Sequence, residues 1–180
     1  MIQRRVVRRY AAALLSAARR ANVIDRVESD LGLVAYTLDS VPLLRRAVRS
    51  PVVPRERKKQ ILEELLGDKL HPLTLSFLKL LVDKRREEIL SAVEPEYVQL
   101  ADEVRGIAKA QVLSAVELTE EQKRRLAEGL SRATGKNVLL SIEVDKSIIG
   151  GVVVRIGDTV IDGSIRGQLA AIKERLMGGM

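Results

Sequence analysis

Apolar residues recur at three- and four-residue intervals through the first hundred positions, and the period shortens towards two after Ala108, so the chain passes from helix patterning to strand patterning. Val7, Tyr10, Leu14, Ala17 and Ala21 predict a first amphipathic helix, and Val23, Val27, Leu31, Val34 and Leu38 a second. Pro42 opens a short third helix through Val48. Ser50-Pro51 and Pro54 then mark a break before a fourth, Arg55 to Leu66, which Gly67 stops. Pro72 suits the first turn of a fifth helix whose buried stripe is Leu75, Leu78, Leu81 and Val82. Ile89, Val93, Tyr97, Leu100 and Val104 supply a sixth. Inside that sixth pattern stands Pro95, which removes a backbone hydrogen bond, so a break is expected near Glu94. Six short helices with short connections predict a bundle over residues 1–106, with Gly106 as the boundary.

Beyond it, Gln111 to Leu118 predicts a strand, and Thr119-Glu120-Glu121-Gln122 has the composition of a capping box. Leu126, Leu130 and Ala133 continue that helix until Gly135, and Val138 to Val144 predicts a second strand. Val152 to Ile156 and Thr159 to Ile161 are β-branched runs joined by Gly157-Asp158, a hairpin signal. Asp162-Gly163-Ser164 then supplies turn and N-cap chemistry for a last helix carrying Ile165, Leu169, Ile172 and Leu176, of which the first three are expected to be buried against the sheet. The order β-α-β-β-β-α predicts a small helix-covered sheet over residues 107–180, and the fold class is α+β.

The run from Asp145 to Leu176 carries more than secondary structure. A strand-end Asp145, the pair Gly150-Gly151, Val152-Val153-Val154-Arg155-Ile156-Gly157-Asp158 and Ile161-Asp162-Gly163-Ser164-Ile165-Arg166-Gly167-Gln168-Leu169 resemble, in this order, the C-terminal signature of the F-type ATP synthase δ-subunit family, which includes the mitochondrial oligomycin-sensitivity-conferring protein. The resemblance implies a non-catalytic stator subunit of two domains. The helical domain would grip the catalytic head, taking the N-terminal helix of an α subunit into a groove between its first and fifth helices. On this sequence that groove falls at Tyr10, Ala13 and Ala17 with Leu80 and Lys84. The C-terminal domain would hold the b-type peripheral stalk. The implied location is peripheral, on the cytoplasmic face of a bacterial plasma membrane, with membrane association only through the complex. No cofactor is implied.

Charge sharpens one part of this picture. The net charge is +7, yet Arg4, Arg5, Arg8, Arg9, Arg19 and Arg20 precede the first acid, Asp25, and the remainder sums to only +1. The basicity is one local patch, and it suits either a solvated face or an acidic partner segment. The opening is amphipathic and acid-free, as transit peptides are. However, Arg9-Tyr10-Ala11-Ala12-Ala13 resembles the start of the first helix in the family, which argues that it folds. The apolar stretch Ala11 to Ala18 is short and is closed by Arg19 and Arg20 rather than by a cleavage site, so no signal peptide is expected. No apolar run reaches the ~20 residues a membrane-spanning helix needs.

Candidate chemistry is sparse. The lone histidine, His71, precedes Pro72 at a helix entrance and has no catalytic companion in the sequence. Asp145, Asp158 and Asp162 each have a turn or capping role, and Gly150-Gly151 fits no phosphate-loop pattern. Cysteine is absent. The competing class is an RNA-associated α/β module with a helical appendage. Aromatic residues are only 2% of the chain, so the stacking platform such a module uses is missing.

Overall fold

The computed structural model describes residues 4–177, excluding the side chains of residues 171 and 174–177. It divides into two compact units, one ending at Ala101 and the other beginning at Asp102. Six α-helices precede the first strand: α1 (Arg4–Arg20), α2 (Ile24–Ser40), α3 (Pro42–Arg49), α4 (Arg55–Leu66), α5 (Pro72–Asp83) and α6 (Leu90–Arg105). Two more follow, α7 (Glu120–Thr134) and α8 (Ile165–Met177), interleaved with β1 (Ile107–Ser114), β2 (Asn137–Val144), β3 (Val152–Ile156) and β4 (Thr159–Asp162). No helix among the described residues is long and apolar enough to cross a membrane.

The first unit closes around one apolar core. Val27, Leu62, Leu78, Leu81, Val93 and Tyr97 are fully buried in it, each from a helix whose apolar residues keep a three- to four-residue spacing. The break expected near Glu94 does not occur. Pro95 lies inside α6 on the solvent side, where only one intrahelical bond is lost and water reaches the carbonyl left unpaired. The interruption falls earlier instead, at a 3-10 turn over Glu87–Ile89. Nor is α4 closed by a left-handed glycine, since Gly67 stays in the right-handed region.

Three of the polar links in this unit fix the start of α5 or the turn before α6. Asp30, 3% exposed, accepts from the His71 backbone N–H at 2.7 Å and from the Thr74 hydroxyl at 2.8 Å, and pairs with Arg26 at 3.0 Å. It thereby fastens α2 to the start of α5. His71 is the N-cap of α5, its Nδ1 accepting from the Leu73 N–H at 3.2 Å. The third link is the buried pair of Lys58 Nζ and Glu87, 2.6 Å apart, which joins α4 to the turn before α6.

In the second unit the sheet order is β2-β1-β3-β4. β1 and β2 are parallel, which requires a crossover, and α7 supplies it. The β1–β3 and β3–β4 pairs are antiparallel. The first strand begins directly after Gly106, four residues before the expected Gln111, because Ala108, Ala110, Val112 and Ser114 are the alternate residues that turn inward. Leu118 lies beyond the strand, partly buried against the same core. The predicted capping box is formed in full, with Thr119 Oγ1 accepting from Gln122 N–H and Gln122 Oε1 accepting from Thr119 N–H. Leu130 and, in part, Leu126 pack α7 onto the sheet, whereas Ala133 is exposed. At the β3–β4 turn Gly157 has φ +57°, a conformation that favours glycine.

Candidate functional site

The core-facing side of α1 is Val7, Ala11, Leu14, Leu15 and Ala18. The stripe expected through Tyr10, Ala17 and Ala21 is therefore displaced: Tyr10 and Ala17 are half-buried and Ala21 is exposed. Tyr10, Ala13 and Ala17 stand at i, i+3 and i+7, on a flank beside the core rather than in it. Val6, four residues before Tyr10 and also half-buried, extends the same line. Two alanines in such a line let another backbone approach closely.

α5 lies beside α1. On it, Leu80 is 43% exposed, and Lys84, one helical turn further and exposed, caps the helix with its N–H donating to the Leu80 carbonyl at 3.0 Å. Thus all five residues singled out from the sequence are exposed or half-buried on two neighbouring helices. Val6 is the one the sequence reading passed over, although its spacing to Tyr10 and Ala13 was the available signal. Asp30 was also passed over, and it too sat at a readable position, between Val27 and Val34 on the inward side of α2.

The arginines of α1 differ among themselves. Arg4 bonds to Glu96 of α6 at 2.9 Å, at the rim of a depression of about 430 Å3 lined also by Val7, Ala92 and Pro95. Arg9 instead lies 5.8 Å from the ring centroid of Tyr10, a cation–π contact at the flank just described. Arginines in the first turn oppose the helix macrodipole, a cost of about 0.3 to 1 kcal/mol, so helix stability does not explain them.

The second unit presents a different surface. Ile165, Leu169 and Ile172 are 45%, 55% and 53% exposed, which corrects the expectation that they are buried against the sheet. The reason lies in how α8 is attached. Its start is tied down by the Ile165 N–H donating to Gly150 O at 2.9 Å, by Asp162 Oδ1 accepting from the Ser164 N–H and hydroxyl, and by Ser164 Oγ accepting from Gly167 N–H. The helix then packs beside the turn at Lys146–Ile148, while α7 already occupies the inward sheet face. Leu176, the fourth residue of the predicted stripe, lies outside the described side chains. Gly151, at φ +81°, is needed here because a Cβ would stand 2.3 Å from the Gly163 carbonyl oxygen. The opposite sheet face is open among the described residues, with a depression of about 360 Å3 bordered by Leu113, Ser141, Glu143, Arg155 and Val160.

Hydrogen bonds from the Ser147 backbone and hydroxyl hold the Asp145 carboxyl below its usual 3.8, aided by the Arg166 charge. The Ser164 hydroxyl and backbone N–H do the same for Asp162. Lys59 is raised by its bonds to Asp83 and then Glu56. All three shifts have local structural partners, and no group of acidic residues or histidines among the described residues is arranged to hold a metal ion.

The family model described as "ATP synthase delta (OSCP) subunit" matches residues 6–176. The protein named ATP synthase subunit delta in Salinibacter ruber is 44% identical over 176 residues, covering 98% of this chain and 93% of that one. Its namesake in Desulforamulus reducens is 44% identical over 177 residues and 98% of both chains. Among solved structures, a chain of the Toxoplasma gondii mitochondrial ATP synthase hexamer superposes with a TM-score of 0.67 over 97% of this chain and 98% of that one, at 22% identity, a likeness of fold. With the family model spanning both units and relatives this similar along nearly the whole length, the chain belongs to the ATP synthase delta (OSCP) subunit family.

Proposed function

We infer that this chain is a non-catalytic stator subunit of a rotary F-type ATP synthase, linking the catalytic head to the peripheral stalk so that proton-driven rotation is coupled to ATP synthesis. The observation that carries the reading is family membership over residues 6–176, a span that includes both units. A linker needs two separate docking faces, and accessible apolar residues occur on each unit: Tyr10, Ala17 and Leu80 on the first, Ile165, Leu169 and Ile172 on the second.

In this proposal residues 1–106 act as a six-helix bundle that receives the N-terminal helix of an α subunit along Tyr10, Ala13, Ala17, Leu80 and Lys84, a helix-in-groove contact. Residues 107–180, with the order β-α-β-β-β-α, hold the b-type stalk subunits, and the exposed stripe of α8 is part of that contact. Resisting torque calls for tight binding. A nanomolar complex amounts to about 12 kcal/mol, far more than surface ion pairs of about 0 to 1 kcal/mol supply, so apolar contact has to dominate. The protein would reside peripherally on the cytoplasmic face of a bacterial plasma membrane, through the complex alone.

Calorimetric titration of the full chain with a synthetic peptide spanning the N-terminus of the same organism's α subunit tests the head contact. The expected result is saturable one-to-one binding, abolished by Ala17→Trp in a variant that keeps its helical circular dichroism. Absence of binding by the folded wild-type chain would remove the groove from this reading.

A further inference from the structure

We propose that Arg5, Arg9 and Arg20 form a cationic row on α1, beside its groove flank, that captures a carboxylate-bearing amphipathic helix by electrostatic steering. The proposal rests on the groove reading above and adds what that reading leaves open, the charge pattern of the occupant and the way it is recruited.

On α4 and α7 basic side chains are matched by nearby acids. On α7, Lys123 meets Glu120 at 2.6 Å, Arg125 meets Glu121 at 2.6 Å and Arg124 meets Glu128 at 3.8 Å. On α4, Lys58 and Lys59 meet Glu87 and Asp83, both at 2.6 Å. α1 differs from these two helices, for it holds six arginines and no acid in 17 residues. Arg4 and Arg8 are engaged. Among the described residues Arg5 has neither ion pair nor hydrogen bond, Arg9 has only the Tyr10 ring, and Arg20 has only the Ser16 carbonyl at 3.4 Å. Arg5 and Arg9 stand one turn apart, and none of the three has an ion-pair partner among the described residues.

Their placement follows from helix geometry. Arg5, Arg9, Ser16 and Arg20 succeed one another at i, i+4, i+11 and i+15, a single line on the helix surface. At about 100° per residue that line lies roughly 80° round the helix from Val6, Tyr10, Ala13 and Ala17. The cation–π contact of Arg9 with Tyr10 joins the two lines directly. Lys84, exposed at the end of α5, adds a positive charge near the other helix of the groove. An occupant that fits is a helix whose apolar face meets Tyr10 and Ala17 and whose Asp or Glu side chains flank that face on the α1 side, two of them one turn apart opposite Arg5 and Arg9 and another about three turns further along opposite Arg20. Arg19 lies on the far side of the row and serves as an internal control.

Rim charges act mainly on the association rate and its salt dependence. The test is stopped-flow association of the full chain with the same N-terminal peptide of the α subunit, from about 50 mM to about 500 mM salt, a range over which the screening length shrinks several-fold. Expected are a rate that falls steeply with salt in the wild type, a triple variant Arg5→Gln/Arg9→Gln/Arg20→Gln about tenfold weaker at low salt with a flattened salt dependence, and Arg19→Gln within about twofold, taking exposed pairs at a few-fold each. A peptide with its carboxylates changed to amides should behave like the triple variant. Binding that Ala17→Trp blocks but that ignores salt and the triple substitution would overturn the row and leave the groove standing. No peptide binding at all would overturn the groove itself. Capture of phosphatidylglycerol vesicles that is lost in the triple variant, with the peptide indifferent to it, would assign the row to a membrane surface and overturn the proposal.

Discussion

The two units of this chain differ in the size of their cores and in where their exposed apolar residues lie. The first has a large core, with α1 to α6 enclosing Val27, Leu62, Leu78, Leu81, Val93 and Tyr97, and its exposed apolar residues, among them Tyr36, Leu43, Val52 and Leu80, come from different segments. The second has a small core around Ala110, Val112, Val138 and Val154, while Val160, Ile161, Ile165, Leu169 and Ile172 are about half exposed. Three of these, Ile165, Leu169 and Ile172, stand at helical spacing on one short helix, the pattern on which the proposed stalk contact rests. The lesson is that a unit with a large core and a unit with a small core and an exposed helix stripe can occur in one chain, and that the two should respond differently to the same kind of substitution.

The largest effect is expected in the first unit. Glu87→Leu leaves Lys58 charged and buried without its partner, which should destabilise that unit by about 3 to 5 kcal/mol, whereas the double change Lys58→Met/Glu87→Leu should recover most of the loss. Urea unfolding followed by hydrogen exchange in each unit would show whether the damage stays in the helical half. A smaller loss, about 1 kcal/mol, is expected in the second unit from Thr119→Ala, which removes the capping-box oxygen at the start of α7, and amides of α7 should exchange faster. Leu169→Ser/Ile172→Ser should cost the free chain no more than about 0.5 kcal/mol, since both residues are already exposed, yet it should abolish pull-down of a fragment from the C-terminal end of the b-type stalk. Should the pair instead destabilise the free chain by several kcal/mol, α8 would be covered in solution and the contrast between the units would fail.

Acid sharpens the comparison with the smallest effect. Asp145 and Asp162 have folded-state values depressed below 3.8, so what they contribute is present above 3.8 and is lost as pH falls through the lower, folded values. Amide signals of Ser147 and Ser164 should therefore shift together below pH 3.8, and Asp162→Asn should abolish the transition at Ser164 while leaving that at Ser147.

How much of this was legible beforehand depended on the range of the interaction concerned. The Thr119–Gln122 box, the Gly157-Asp158 turn and the Asp162–Ser164 cap all lie within a few residues of their partners, and all formed as read. The start of β1 was misplaced by four residues because Ala108 and Ala110 are weak apolar markers whose inward direction is fixed by pairing with Val138 and Leu140. Asp30 looked like one more solvated acid until His71 and Thr74, some forty residues away, came to lie beside it. Of the five residues assigned to the groove, the sequence located the helices correctly but placed Tyr10 and Ala17 on the buried stripe of α1, when the core face proved to be centred on Ala11 and Ala18.

The sequence by itself determined the elements, their order, the caps and turns that bound them, and the concentration of positive charge in the first helix, because periodicity and near-neighbour hydrogen bonding act within a few residues. Only the tertiary structure decided which flank of α1 stays accessible, which arginines find partners, and that the apolar stripe of α8 remains uncovered. The physical reason is that amphipathicity states only that a face prefers burial. Whether it is buried depends on which other face reaches it, and on the second unit α7 packs on the inward sheet face while α8 is held beside the Lys146–Ile148 turn.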